Sequence, residues 1–236
     1  MAVISLVKGQ KIDLRKSSGE ALTNFCVGVN WGAIEKFVTQ KIEHTGFLGF
    51  GKRTEEVRTK QSISVDLDLS CIMVDQNNKL IDHIYSPLYR LEFLQKFGLP
   101  LGKLESQDGA LRHSGDDLEG DKDGDDGLDN EIITVDLNRL NPNVEQIFFF
   151  LNNVGKEDFS QIPYAKIRMY EGTPSSVKAV VASYNVSAEP NYHERRALIM
   201  GKLYKKSGAW KFHAIGDPTE DVFIGQTITR IINSYL

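Results

Sequence analysis

The sequence predicts a mainly β protein: a two-sheet β-sandwich with a few short helices and a C-terminal helix. Three observations carry that expectation. Hydrophobicity alternates with a period of two along many short segments. Turn-forming clusters separate those segments: Lys8-Gly9-Gln10, Gln76-Asn77-Asn78, Gly172-Thr173-Pro174 and Ser207-Gly208-Ala209. Helical spacing emerges in only three places. At 236 residues, with 41% hydrophobic and 25% charged residues, the chain has the make-up of an ordinary globular domain. One domain over residues 1–236 is expected, with insertions at about 33–61 and 86–131.

The strands are expected in order at Val3–Val7, Lys11–Arg15, Asn24–Trp31, Ile63–Cys71, Ile132–Leu137, Gln146–Leu151, Ala165–Tyr170, Val177–Val186, Ala197–Tyr204 and Trp210–Ile215. The clearest is Ile63–Cys71. Its odd positions are apolar, while Ser64, Asp66, Asp68 and Ser70 share the opposite face. Helices are expected within Ala33–Lys41, over Pro87–Phe97, and in the tail Asp221–Tyr235. The tail places Val222, Ile224, Ile228, Ile231 and Ile232 on one broad face for docking. Trp31 and Trp210 are expected in or beside the core.

Net charge is −4, but residues 114–131, "SGDDLEGDKDGDDGLDNE", carry nine acidic residues against Lys122 alone. That stretch holds about −8, leaving about +4 on everything else. No broad basic face is implied, so nucleic acid is not an expected partner. Cys26 and Cys71 lie inside apolar runs and read as buried free thiols. No Cys/His spacing suggests zinc. No run approaches the ~18 apolar residues of a membrane span, and the opening apolar stretch is too short for a secretory signal. The expected compartment is the cytosol.

Calcium takes several hard oxygen ligands in flexible geometry, and a glycine-bent acidic loop supplies them in quantity. Crowded carboxylates repel, which a bound divalent cation relieves. "DKDGDDG" (121–127) superficially resembles the start of a helical calcium hand, but the register is wrong. With Asp121 at position 1, the required glycine would be Asp126 and the required glutamate Ile132. A better arrangement pairs the loop with strand 63–71. Asp66 and Asp68 point from one face, roughly 6.6 Å apart along the strand, as a rigid wall facing an adaptable lid. Ordinary solvent-facing polar alternation would produce the same pattern, and the loop could equally be a solvated insertion.

Several segments resemble one family. "HSGDD…LDNEIITVDL" (113–137) resembles the H-[TS]-G-D-N…G-D-D-E-x-I-x-V-D-L signature of the TerD family, associated with tellurite resistance and general stress. "VDLDLSCIMV" (65–74) is similar to its F-D-L-D-A-S-x-F-L-L strand, and "FCVGVNW" (25–31) to its V-x-V-G-L-G-W segment. "RALIMGKLYKKSGAWKFHAIG" (196–216) and the opening "MAVISLVKGQKIDLRK" also resemble family segments. The matches run in order over nearly the whole chain. The long 33–61 insertion with Gly-Phe-Leu-Gly is similar to the TerZ-like branch. The resemblance implies a β-sandwich that binds Ca2+ through its acidic segments, with no established catalysis. Its implied partners are other proteins of a tellurite-resistance or stress system, with a peripheral contact to a membrane complex. The matching positions are Asp66, Asp68, His113, Gly115, Asp116, Asp117, Asp129, Asn130 and Glu131, and the additional loop carboxylates Asp121, Asp123, Asp125 and Asp126 are further ligand candidates. The chain departs from the pattern at Gly32, where the family has Asp, at Ser86-Pro87, where it has Asn-Asn, and at Leu128-Asp129-Asn130-Glu131, where it has Gly-Asp-Asp-Glu. Those departures imply either compensation by the extra loop aspartates or loss of one of two expected ions.

His113 is expected to position the loop entry, since imidazole suits calcium poorly; the other four histidines are expected in surface or satisfied roles. "TGFLGFGK" (45–52) is either an apolar tip for a partner or membrane surface or a loop folded back on the sandwich. Two other function classes compete with a calcium-responsive binding module. One is a metal-dependent hydrolase or phosphotransferase using the clustered carboxylates, although no phosphate-cradling loop or nucleophile–base constellation accompanies them. The other is a scaffold without metal.

Overall fold

The computed structural model describes residues 4–5, 7–16, 18–45, 52–186 and 190–236. Two six-stranded sheets and a separate ribbon emerge. In chain order the strands are β1 (Ile4–Ser5), β2 (Lys11–Asp13), β3 (Asn24–Trp31), β4 (Ile34–Thr45), β5 (Lys52–Ile63), β6 (Leu67–Val74), β7 (Leu80–Ile84), β8 (Leu111–His113), β9 (Glu131–Asp136), β10 (Gln146–Asn153), β11 (Ala165–Thr173), β12 (Ser176–Asn185), β13 (Ala197–Lys206) and β14 (Ala209–Thr219). Two α-helices join them, α1 (Leu91–Gln95) and α2 (Ile224–Ser234). The first sheet has the order β1-β12-β11-β3-β9-β8, the second β2-β14-β13-β10-β6-β7, and β4-β5 stand apart. Pairing is antiparallel except between β1 and β12. The mainly β, two-sheet expectation therefore holds, and so does the C-terminal helix.

The core lies between the sheets. Val27, Val29, Ile133, Val135, Ile167 and Met169 from the first sheet meet Leu67, Leu69, Met73, Ile147, Phe149 and Leu151 from the second. A second apolar layer covers the outer face of the second sheet. There Ile72, Val74, Phe148, Phe150, Ile199 and Ile215 pack against Leu94, Leu99, Ile224, Ile228 and Ile231. The isoleucines of α2 recur at helical spacing on one face. Each fully buried one is worth about 1.5–3 kcal/mol relative to exposure, which keeps α2 seated. Central strands β6 and β10 are thus covered on both faces, and every residue of β6 is buried. Both cysteines are buried and free.

Three expectations need correction. Residues 33–41 are not helical: Ile34–Thr45 form β4, paired over twelve positions with β5. Ile34, Val38 and Ile42 lie four apart, a spacing that fits both a helical stripe and one face of a strand. The β-branched content and the partner strand decide for the strand. The expected helix over Pro87–Phe97 shrinks to the five residues of α1. The expected strand Ile63–Cys71 is broken, with β5 ending at Ile63 and β6 beginning at Leu67. Of the "TGFLGFGK" segment, residues 46–51 lie outside the described residues, as do Val3 and Leu6 of the first expected strand.

Candidate metal centre

The second apolar layer is what makes the site unusual. Asp68 sits on the outer face of β6, where alternation alone would leave it wet. The segment from Ser86 to Leu99 and helix α2 cover that face, and Asp68 is 4% exposed. The solvent-facing explanation of Asp68 is thereby removed, while Asp66, just before β6, is half-buried. The acidic loop closes over the same edge through backbone ties. Val65 N donates to Glu119 O at 3.0 Å, Ala33 N to Asp121 O at 2.8 Å, and Asp121 N to Trp31 O at 3.0 Å. Trp31 is fully buried and its Nε1 donates to Val65 O at 2.8 Å, fixing the strand end beside Asp66.

Two carboxylate clusters result. The inner one joins Asp68, Asp116 and Glu131, each offering an oxygen within 4.8 Å of the others. Asp66 belongs to its surroundings: burial, then the charges of Glu131, Asp116 and Asp117, push its carboxyl up from 3.8 to about 6. Burial likewise raises Asp68 well above the ordinary range, with Glu131, Asp66 and Asp116 adding to the rise. Glu131 is completely buried and raised by burial. It is tethered by Leu69 N at 2.7 Å and Asp117 N at 3.1 Å, and His113 Nε2 lies 3.3 Å from it. His113 also accepts from Gly115 N at 3.0 Å through Nδ1, so it orients the loop entry. It is the basic group that faces Glu131.

The residues present fit a hard cation. Asp66 Oδ1 is buried with no hydrogen-bond partner. So is Oδ1 of Asn152, the cross-strand neighbour of Asp68 on β10. Unpartnered buried acceptors beside like charges are costly, and an ion taking all-oxygen ligands would satisfy them together. Ser86 Oγ donates to Asp116 Oδ2 at 2.6 Å, so the sequence departure at Ser86 falls directly on this centre. Tyr89, whose buried hydroxyl faces Asp68 without a well-formed hydrogen bond, roofs it.

The outer cluster joins Asp121, Asp125 and Asp126. It is largely met by protein donors. Asp121 accepts from Tyr164 Oη at 2.8 Å, Asn30 Nδ2 at 3.2 Å and Asn130 Nδ2 at 3.1 Å. Asp125 is ion-paired with Lys166, which with the Gly127 amide holds its carboxyl below the usual range. The departure at Gly32 falls here. A Cβ at Gly32 would come within 2.6 Å of the Tyr164 ring, so an acidic side chain there would require that ring to shift.

The remaining candidates do other work. Asp117 accepts from Glu119 N and Gly120 N, both at 2.9 Å, and from Asn130 Nδ2 at 3.1 Å, a loop-shaping set that outweighs burial and lowers its pKa. Asn130 accepts from Trp31 N at 2.8 Å, stitching the loop to β3. Asp123 is exposed and joins neither cluster. Asp129 is directed away: it pairs with Arg168 at 2.7 Å and its carboxylate lies against Gly28. Sequence reasoning missed Ser86 as a donor, and it missed Tyr89, Asn30, Asn152, Tyr164 and Lys166. None stands beside the acidic run; register and loop path alone bring them there.

Comparison with known proteins agrees with this architecture. The TerD domain family model matches residues 1–229. The chain is 31% identical over 216 residues to tellurium resistance protein TerZ of Serratia marcescens, covering 91% of this chain and 89% of that protein. It is 30% identical over 236 residues to stress response protein SCP2 of Bacillus subtilis, covering 97% and 99%. A solved homologue of telluride resistance protein TerD from Streptomyces coelicolor superposes with a TM-score of 0.52 at 13% identity, over 84% of this chain and 91% of that one, a likeness of fold. No helix among the described residues is long and apolar enough to cross a membrane. With the sandwich, the ordered motifs and full-length relatives in agreement, the chain belongs to the TerD domain family.

Proposed function

We propose that the protein is a non-enzymatic, calcium-binding module of a tellurium-resistance or stress-response system, working in the cytosol through protein partners. The observation that carries this reading is the inner cluster: Asp68, Asp116 and Glu131 within 4.8 Å of one another, beside an orphaned Asp66 oxygen. Asp66, Asp68, Asp116 and Glu131 would hold the ion, with Asn152 as a further oxygen donor. The bound ion supplies positive charge that ties the acidic loop to β6. The relatives' names supply the physiological setting, resistance to tellurium and stress. The outer cluster is committed to Lys166, Tyr164, Asn30 and Asn130, which favours one ion per chain.

Calcium then acts as a structural signal. It stabilises the closed loop by mass action, and partners, including a membrane-associated complex, recognise the closed form. Calorimetric titration of metal-stripped protein in millimolar magnesium tests this. Saturation at one calcium per chain is expected; no binding heat with an unchanged melting temperature would overturn it. Metal-dependent turnover of phosphate esters would instead favour hydrolytic chemistry at the same carboxylates.

A further inference from the structure

A second charged site lies beyond the C-terminal end of α2, on the outer face of the second sheet. Lys11 on β2 is directly opposite His213 on β14, and His213 is directly opposite Lys202 on β13. Residues so paired share one face with Cβ atoms about 4.5–5.5 Å apart, and like charges placed there are destabilising. Three basic side chains thus form a row across three adjacent strands. His213 and Lys202 of the row line an open pocket of about 370 Å³ together with Lys8, Asp217, Tyr235 and Leu236, and Lys11 adjoins it through its pairing with His213.

None of the three side chains makes an ion pair among the described residues. Asp217, in the pocket wall, is ion-paired with Lys8 and accepts from Tyr235 Oη at 2.9 Å. Asp13 is paired with Lys211 at 2.6 Å. Lys202 Nζ donates to Gln146 Oε1 at 2.7 Å and to the Tyr235 carbonyl at 2.8 Å. An ammonium carries three donors, so one N–H remains beyond these two bonds, with Nζ also 4.9 Å from the Phe148 ring centroid. The His213 and Lys11 side chains make no hydrogen bond or ion pair among the described residues. The mutual repulsion registers on the groups themselves. Burial and then Lys11 and Lys202 hold His213 below its ordinary value, and burial and then Lys11 lower Lys202.

We propose that this row is a binding site for a small divalent oxyanion of the sulfate or phosphate class, held by the free donors of Lys11, His213 and Lys202. A dianion would turn three unfavourable neighbours into three charge-assisted hydrogen bonds. Tyr235 and the Lys202–carbonyl bond place the end of α2 at the pocket rim, so occupancy would also stiffen that helix end. The site is remote from the carboxylate centre and does not depend on calcium binding.

The test is a sulfate titration of metal-stripped protein at low ionic strength, followed by backbone amide chemical shifts. Sulfate stays divalent across the histidine range, so pH reports on the protein alone. Saturable shifts on β2, β13 and β14 are expected, with affinity tightening as pH falls and His213 gains its proton. Lys11→Gln, an exposed edge-strand change that leaves the fold intact, combined with His213→Gln should weaken binding at least about tenfold and abolish the pH dependence. Phosphate should compete with sulfate for the same amides. Non-saturable shifts, or an affinity unchanged in the double variant, would overturn the proposal.

Discussion

The inner and outer carboxylate clusters sit on the two sides of one acidic loop, yet they face opposite chemical problems. The outer cluster, Asp121, Asp125 and Asp126, has the higher charge density in the sequence and the easier surroundings. Lys166, Tyr164 and two asparagine amides already serve it. The inner cluster gathers its carboxylates from β6, the loop and β9. It buries them and leaves an Asp66 oxygen without a partner. The lesson is that charge run length is a poor guide to a cation site, whereas uncompensated burial is a good one. An exposed carboxylate is content with water; a buried one needs a counter-charge or a proton.

Breaking the inner cluster should have the largest effect. Asp68→Ala removes one of its two buried carboxylates, and calcium affinity should fall at least about 100-fold, a loss of about 2.7 kcal/mol. Asp126→Ala, in the outer cluster, should change affinity less than about twofold. Equal losses in the two variants, measured by calorimetry, would erase the distinction between the clusters. Next in size, calcium at 100 times its dissociation constant should stabilise the wild type by about 2.7 kcal/mol, a melting shift of roughly 5–10 °C for a chain of this length. Asp68→Ala should show none of that shift.

Gly28→Ala sharpens the comparison from outside it. A Cβ there would run into the Asp129 carboxylate, so the Asp129–Arg168 pair must shift at a cost of about 1–3 kcal/mol. Chemical denaturation should show that loss while calcium affinity stays within a factor of about two; a large loss of affinity would return Asp129 to the metal set. The smallest effect concerns pH. The Asp66 carboxyl is raised from 3.8 to about 6 in the folded state. Between those values the folded chain keeps a proton that the unfolded chain releases, so stability falls as pH rises through the window. Metal-stripped protein should therefore melt a few degrees lower at the top of that window than at the bottom. Calcium-loaded protein should show the opposite trend, because the ion competes with the proton. A flat profile for the stripped protein would mean that Asp66 is better solvated than its burial implies.

Much of the fold was legible because strand periodicity is local. Asn24–Trp31 was expected and is β3, and the tail helix lies within Asp221–Tyr235 as its isoleucine stripe implied. The hairpin β4–β5 was not legible, since Ile34, Val38 and Ile42 satisfy two periods at once and only the partner strand breaks the tie. At the site, Asp66, Asp68, Asp116 and Glu131 were named from the sequence and are brought together. Asp129, named with them, is turned toward Arg168. Its neighbour in sequence, Asn130, stitches the loop instead. Asp129 and Glu131 are two apart and would share a face in a regular strand, but β9 begins only at Glu131, so the path of the loop before it decides which of them enters the site.

The sequence by itself determined the architecture and the supply of hard oxygen ligands, which follow from local periodicity and composition, and the family, through motifs that resemble it in order along the chain. The tertiary structure alone decided which carboxylates are stranded. That depends on Ser86, Tyr89 and helix α2 covering the far face of β6, and on Tyr164 occupying the space beside Gly32. Burial is a property of what packs on top, and the residues that pack there come from segments remote in the chain.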